Sequence, residues 1–308
     1  MLTGEFYPAC MIPPDMSTVA MSVRSASRVQ AVLGEGPLWD PRVEQLLFLD
    51  ILGGKLFSYD PQTERTETFS APGKISAIGL RAKGGYVCAS KGGFAYLALH
   101  EGEVRLTPVA APESDRPDNR FNDGKADPFG GFWAGTMDEK EKDPFGGSWW
   151  RLPPDGKPVK LDEGFHVANG PAFDQTRQRV YFTDSARQTV FVARATENGF
   201  VEKRAFLQFG AKDGYPDGMD IDLEGNIWIA FWDGYAVRRF SPEGLLIEEI
   251  PLPTPRPTSV ALVGERAFVT SARIGLPEAT LKRHPSAGDL FEISLARNLG
   301  RGASYFSG

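Results

Sequence analysis

Cysteine is scarce in this sequence, with only Cys10 and Cys88 in 308 residues. Two thiols cannot make a disulfide framework, and no Cys-x-x-Cys pair occurs, so a stapled secreted fold and a zinc finger are both excluded. That usage fits two free thiols in a reducing, cytoplasmic setting. Histidine is nearly as rare. His100, His166 and His284 are not spaced as metal ligands, and no His-Glu-x-x-His occurs, although His166 stands close enough to Asn169 to line a pocket with it. No run of Lys or Arg exists, and the net charge is −6, which argues against a nucleic-acid partner because phosphate neutralisation needs a clustered basic face. No apolar stretch approaches the roughly 20 residues that cross a bilayer, so no membrane partner is expected. Met1–Arg24 lacks the basic start and apolar run of a secretory signal and reads as a flexible extension, which leaves 25–308 as a single domain. Gly-x-Ser-x-Gly is absent, so no serine nucleophile is signalled. Sustained apolar spacing at three and four is missing too, and the one helical turn the pattern allows is Glu278–Arg283.

What the chain has instead is glycine and proline, 34 and 24 of them, spread along its whole length. That distribution fits many short strands joined by tight turns. Apolar, aromatic-rich segments recur at Leu46–Asp50, Tyr86–Ser90, Gly131–Thr136, Val180–Asp184, Ile227–Ala230 and Ala267–Thr270. Turn residues precede most of them, such as Asp40-Pro41, Lys83-Gly84-Gly85 and Asp222-Leu223-Glu224-Gly225. A polar turn, a second strand and a more exposed third strand usually follow, as in Glu64–Phe69 and Leu245–Ile250. The period of roughly 40 to 48 residues predicts an all-β, six-bladed β-propeller with four-stranded antiparallel blades. Ser27–Val32 is expected to add the outer strand of the last blade and so hide its edge.

In such a ring the innermost strands converge on one axis. The slot about 11 to 12 residues before the middle of each apolar strand holds Glu35, Asn122, Asn169 and Asp217 in four of the repeats. Asn-Gly and Asp-Gly are ordinary turn dipeptides, so each residue alone reads as a turn. Their recurrence at one offset places four oxygen-bearing side chains around a single point. Two carboxylates and two amides, with no thiolate or imidazole, suit a hard divalent cation, and the carboxylates would offset its charge. Arg120 and Lys125 reach a substrate or hold loops. Two further patterns carry nothing: Asp220–Gly225 opens like a calcium loop but has Phe231 where its bidentate Glu belongs, and Gly34-Glu35-Gly36 lacks the third glycine and helix of a dinucleotide fingerprint.

Gly34–Trp39, Arg120–Lys125, Trp133–Met137 and Pro216–Met219, with Thr270–Arg273 and Ala287–Phe291, resemble the senescence marker protein (regucalcin) and gluconolactonase family, from about Leu33 to Ile293. The resemblance implies one divalent metal and hydrolysis of a sugar lactone, of gluconolactone, xylonolactone or arabinolactone type, to the aldonic acid. By motif position it implies Glu35, Asn169 and Asp217 as metal ligands, and Asp217 also as general base. Asn122 would hold substrate or water, and Arg120 would contact substrate. Ca²⁺ is the first expectation, with Mg²⁺, Mn²⁺, Zn²⁺ or Fe²⁺ as alternatives, in a monomer or weak dimer. Other ester or phosphotriester hydrolysis on the same scaffold, or a non-enzymatic calcium-binding regulatory role, stand as rival functions. The chain departs from the family pattern at Pro257–Ala261, and Glu139 and Glu141 flank a Lys140 where some members carry an acidic residue that contacts sugar.

Overall fold

A computed structural model of the protein describes residues 21–308, so Cys10 and most of the expected extension Met1–Arg24 lie outside the described residues. Strand β1 spans Val23–Ser27. The next eight are β2 (Gly34–Asp40), β3 (Gln45–Asp50), β4 (Lys55–Asp60), β5 (Arg65–Ser70), β6 (Ile75–Arg81), β7 (Tyr86–Ser90), β8 (Gly93–His100) and β9 (Glu103–Ala110). Strands β10 (Asn119–Ala126), β11 (Phe132–Asp138), β12 (Gly147–Leu152) and β13 (Val159–Phe165) form one four-stranded sheet. A second comprises β14 (Ala168–Asp174), β15 (Arg179–Asp184), β16 (Thr189–Thr196) and β17 (Gly199–Gln208). A third comprises β18 (Tyr215–Ile221), β19 (Ile227–Trp232), β20 (Ala236–Phe240) and β21 (Leu246–Pro251). The last strands are β22 (Pro257–Val263), β23 (Arg266–Ser271), β24 (Leu290–Ser294) and β25 (Tyr305–Phe306), with helix α1 (Glu278–Arg283) between β23 and β24.

The expected six-bladed propeller of separate four-stranded antiparallel blades is corrected by the strand pairing. Four four-stranded sheets stand as small blades, and the remaining strands form one nine-stranded sheet in the order β2-β3-β4-β5-β9-β8-β7-β6-β25. The reason lies at two edges. Ser70 pairs with Glu103 in parallel, reinforced by the Ser70 N–H donating to the Gly102 carbonyl at 2.9 Å, so β5 and β9 are continuous. At the other end β25 lies parallel to β6, through Tyr305↔Leu80 and Phe306↔Arg81. Both joins give edge N–H and C=O groups a partner that an isolated blade would leave to water. The architecture is all-β and propeller-like, with four small blades and one wide sheet.

Ring closure differs from expectation in its segment. The strand added to β24 is β1, Val23–Ser27, not Ser27–Val32, with Val23 opposite Ile293 and Ser25 opposite Phe291. Residues near both ends of the described chain therefore share one sheet, in the order β1-β24-β23-β22. The anticipated helical turn is present as α1, with no buried residue. No helix among the described residues is long and apolar enough to cross a membrane.

Alternation explains the core. The second strand of each sheet is buried along almost its whole length (Leu46–Asp50 in β3, Val180–Asp184 in β15, Ile227–Phe231 in β19), because neighbouring sheets cover both its faces. Outer strands such as β5 and β21 alternate toward solvent. Trp133, Trp149 and Trp228 are fully buried between sheets.

A repeated aspartate fastens the turn after the inner strand. The Asp222 carboxylate accepts from Asn226 N–H at 2.8 Å, from Trp228 Nε1 at 3.1 Å and from Arg239 Nε and Nη2 at 2.9 and 2.6 Å. Asp127 does the same with Gly131 N–H, Trp133 Nε1 and Arg151 Nε. Asp40 takes Arg42 and the Tyr86 hydroxyl. These buried carboxylates sit where their lone pairs are fully used, which is the condition for burying a charge.

Candidate active site

Six inner strands, β2, β6, β10, β14, β18 and β22, face one another across the middle of the molecule, and each breaks its register near its start. The break falls between Glu35 and Leu38, Phe121 and Gly124, Asn169 and Ala172, and Pro216 and Met219. A bulge re-aims the side chains at that point, and the four slots predicted from sequence lie in or beside these bulges. Close approach is required there. A Cβ at Gly218 would sit 2.2 Å from Ser259 Oγ and 2.9 Å from its Cα, so glycine after Asp217 lets β18 lie against β22. Gly170 follows Asn169 with φ +78°, a left-handed conformation that glycine adopts without strain.

Glu35, Arg120, Asn122, Asn169 and Asp217 all line one cavity of about 600 Å³. The structure therefore brings these five residues singled out from the sequence together. Asn122 is the link among them. Its Nδ2 donates to Asn169 Oδ1 at 2.8 Å and to the Ala168 carbonyl at 3.0 Å, while its Oδ1 accepts from Arg120 Nη1 at 2.8 Å. Asn169 Nδ2 donates in turn to Ser185 Oγ at 2.9 Å, and Ser185 donates to the Pro216 carbonyl at 2.6 Å, next to Asp217. This chain turns the Asn169 amide so that its oxygen faces Asn122.

The carboxylates are the unusual part. Burial pushes the Glu35 carboxyl well above the ordinary range, and the neighbouring charges of Asp217 and Asp123 push it further. Burial also raises Asp217, with Asp123 adding to the shift. Asp217 Oδ1 is buried with no hydrogen-bond partner, and Arg120 Nε is in the same condition. Asp123 is raised to about 6 by burial, against the pull of Lys125 and the N–H groups of Gly124 and Gly170. Two buried carboxylates with mutual repulsion and an orphaned oxygen form a set that a hard cation would neutralise. Among the described residues no group of three or more His, Cys, Asp or Glu is placed to hold a metal ion, so an ion here would have to draw on amide oxygen as well. Glu35, Asp217 and the Asn169 amide fit that donor chemistry.

Some site features were missed from sequence. Asp123 has no assigned role there, yet it is the third buried carboxylate, holding Gly170 N–H at 3.0 Å. Ser185 carried no signal. Both Glu139 and Glu141 line the cavity, whereas Lys140 is exposed beside Asp118. Glu139 is drawn down to about 2: burial works against this, and hydrogen bonds from Lys74 and Lys91 outweigh it. Lys125 does not line the cavity; its Nζ donates to the Met219 carbonyl at 2.8 Å and ties β10 to β18. His166 lines the cavity, its backbone N–H held by Asp184 at 3.0 Å. The lining also includes Leu33, Leu52, Trp232 and Ile274, which belong to one packed apolar cluster.

Comparison with known proteins then decides the lineage. A model of the SMP-30/gluconolactonase/LRE-like region matches residues 33–273. The chain belongs to this family. Among its SMP-30/gluconolactonase relatives, Xenopus laevis regucalcin is 33% identical over 274 residues, covering 85% of this chain and 90% of that protein. The 6-deoxy-6-sulfogluconolactonase of Pseudomonas putida is 34% identical over 278 residues, covering 88% of this chain and 94% of that one. A solved structure of regucalcin from Agrobacterium tumefaciens, described as a calcium-binding protein, superposes with a TM-score of 0.87 at 28% identity, covering 94% of this chain and 98% of that one.

Proposed function

We propose that this protein hydrolyses a sugar lactone, of gluconolactone, xylonolactone or arabinolactone type, to the aldonic acid with one divalent metal ion. The observation that carries the reading is the convergence of Glu35 and Asp217, both buried and without a protein cation bonded to them, on a cavity also lined by Asn122 and Arg120. Family membership and a sulfogluconolactonase among the relatives support the reaction class. The neighbour described as calcium-binding supports Ca²⁺ as the first choice of ion.

In this reading Glu35, Asn169 and Asp217 hold the ion. When bound, it supplies Lewis-acid polarisation of the lactone carbonyl and makes a nearby water more acidic. Asp217 accepts a proton from the attacking water. The water oxygen bonds to the carbonyl carbon, the ring C–O bond breaks, and the proton passes to the departing alkoxide. Asn122, fixed by Arg120 and Asn169, orients the water or the lactone. Arg120, with an unpartnered Nε, contacts the substrate. A reducing cytoplasmic setting accords with Cys88, a buried free thiol.

The test is Asp217→Ala. We expect gluconolactone turnover to be abolished and Ca²⁺ binding by calorimetry to be lost together. Near-wild-type hydrolysis by this variant at saturating metal overturns both roles. The neighbour's calcium-binding description keeps a regulatory role as the second reading. No acceleration of any sugar lactone or phosphotriester by metal over chelated protein selects that role.

A further inference from the structure

The residue opposite the first position of each inner strand is small and polar in every sheet but one. Gly34 faces Asp50, Ile75 faces Ser90, Asn119 faces Asp138, Ala168 faces Asp184, and Pro257 faces Ser271. These side chains fasten local backbone. Asp50 accepts from the N–H groups of Val32, Leu33 and Gly53, and Asp184 from those of His166 and Val167. Asp138 accepts from Lys140, Lys142 and Asp143; Ser271 accepts from the Gly288 N–H and donates to the Asp289 carbonyl. In the remaining sheet Tyr215 faces Trp232. An indole cannot accept backbone N–H groups as the aspartates and Ser271 do, so at this position the fold has given up that device.

Trp232 is nevertheless held. The Arg256 guanidinium lies over its ring with Cζ 4.5 Å from the centroid, and Arg256 is itself tied to Asp233 at 2.7 Å and to the Ile274 carbonyl. The indole packs against the cluster that contains Leu33, alongside Leu52 and Ile274, yet stays partly exposed and lines the cavity. The cavity lining is thus mixed: Arg120, Asn122, Glu139 and His166 offer polar groups, and a packed apolar cluster contributes a fixed indole.

We propose that Trp232 is a substrate-binding residue, the platform against which the C–H face of the lactone ring lies. This rests on the lactonase reading and deepens it. A sugar lactone carries its hydroxyls around the rim and presents C–H groups on a face. Such a face gains by covering an aromatic ring, while the rim hydroxyls reach the polar groups of the lining. Pinning by Arg256 means the indole is already in place before binding, which lowers the ordering cost. The platform is also specificity-determining, because an epimer with a hydroxyl turned onto the stacked face must lose water from that hydroxyl without a partner.

The experiment compares wild type with Trp232→Ala, Trp232→Leu and Trp232→Phe on a panel of epimeric aldonolactones, with circular dichroism to verify folding. Trp232→Ala is expected to raise KM about tenfold, equivalent to about 1.4 kcal/mol, with kcat within about twofold. Trp232→Phe should restore most of the affinity, and discrimination among epimers should flatten in the alanine variant. A second reading uses tryptophan emission on titrating the aldonate product: a change in wild type that is lost in Trp232→Phe. If Trp232→Ala fails to fold, the leucine and phenylalanine variants carry the comparison. A KM within about twofold of wild type in a folded alanine or leucine variant overturns the platform while leaving the lactonase reading intact. Failure of the wild type to open any sugar lactone overturns both.

Discussion

Asp217 and Cys88 show how differently burial acts on two titratable groups. Asp217 is buried with an unpartnered oxygen facing other carboxylates, a condition that calls for a ligand. Cys88 is buried in β7 among apolar neighbours, which push its thiol up to about 12. A thiol so raised has almost no thiolate at neutral pH and is inert toward alkylation. Iodoacetamide treatment of the native protein at pH 8, followed by peptide mapping, should leave the Cys88 peptide unmodified until denaturant is added. Modification of that peptide in the folded protein would contradict the burial. The sequence already marked Cys88 as a strand residue with no partner. It also marked Glu35, Asn169 and Asp217, because their spacing follows the repeat. It gave no weight to Asp123, Ser185 or Trp232, since what makes each notable is the neighbour it meets from another sheet.

At the scale of the element, the aspartate that closes four of the six inner strands (Asp40, Asp127, Asp174 and Asp222) is worth more than its turn position implies. Asp222 has no exposed side chain and binds the Arg239 guanidinium, Trp228 Nε1 and the Asn226 N–H. Replacing it with alanine leaves the buried Arg239 with only the half-exposed Glu224, 2.7 Å away, as an acidic partner, and we expect a loss of about 3 kcal/mol in urea unfolding. Burial alone would raise the Asp222 carboxyl; its hydrogen bonds from Trp228 and Asn226, with the charge of Arg239, bring it below its usual range. A carboxyl whose folded pKa is lowered contributes stability that is fully present above its unfolded pKa of about 3.9 and lost as pH falls through the folded value. Asp222→Asn should therefore show a shallower decline of stability below about pH 4 than wild type. An unchanged acid limb would mean that Asp222 does not titrate with folding. Alternation, turn residues and the single helical turn were legible within such elements. The segment that adds to β24 was not: it lies at Val23–Ser27, a few residues before the expected Ser27–Val32. Only the pairing with Ile293, Glu292 and Phe291 fixes that register.

The whole molecule depends on contacts between residues far apart in the chain. β1 completes the sheet of β22, β23 and β24, with Arg24 bridging Glu292 at 2.8 Å and Glu64 at 2.7 Å. Removing residues through Ser27 exposes the β24 edge. We expect a lower melting midpoint and light scattering that rises with protein concentration; a truncated protein with wild-type melting would show that β1 adds nothing to closure.

The sequence by itself determined that the chain is all-β, that its strands repeat, and that oxygen-bearing residues recur at one offset. Those are consequences of local periodicity and turn chemistry. Its count of six separate four-stranded blades assumed that each repeat closes on itself. Tertiary structure decided otherwise, because edge groups of β5 and β9, and of β6 and β25, find partners across repeats. Tertiary structure also decided the character of the site. Spacing can align Glu35 and Asp217, but only the packing of the inner strands removes water from both carboxylates and sets Asp123 and a fixed indole beside them. Desolvation and proximity are properties of the assembled molecule, and no single stretch of residues contains them.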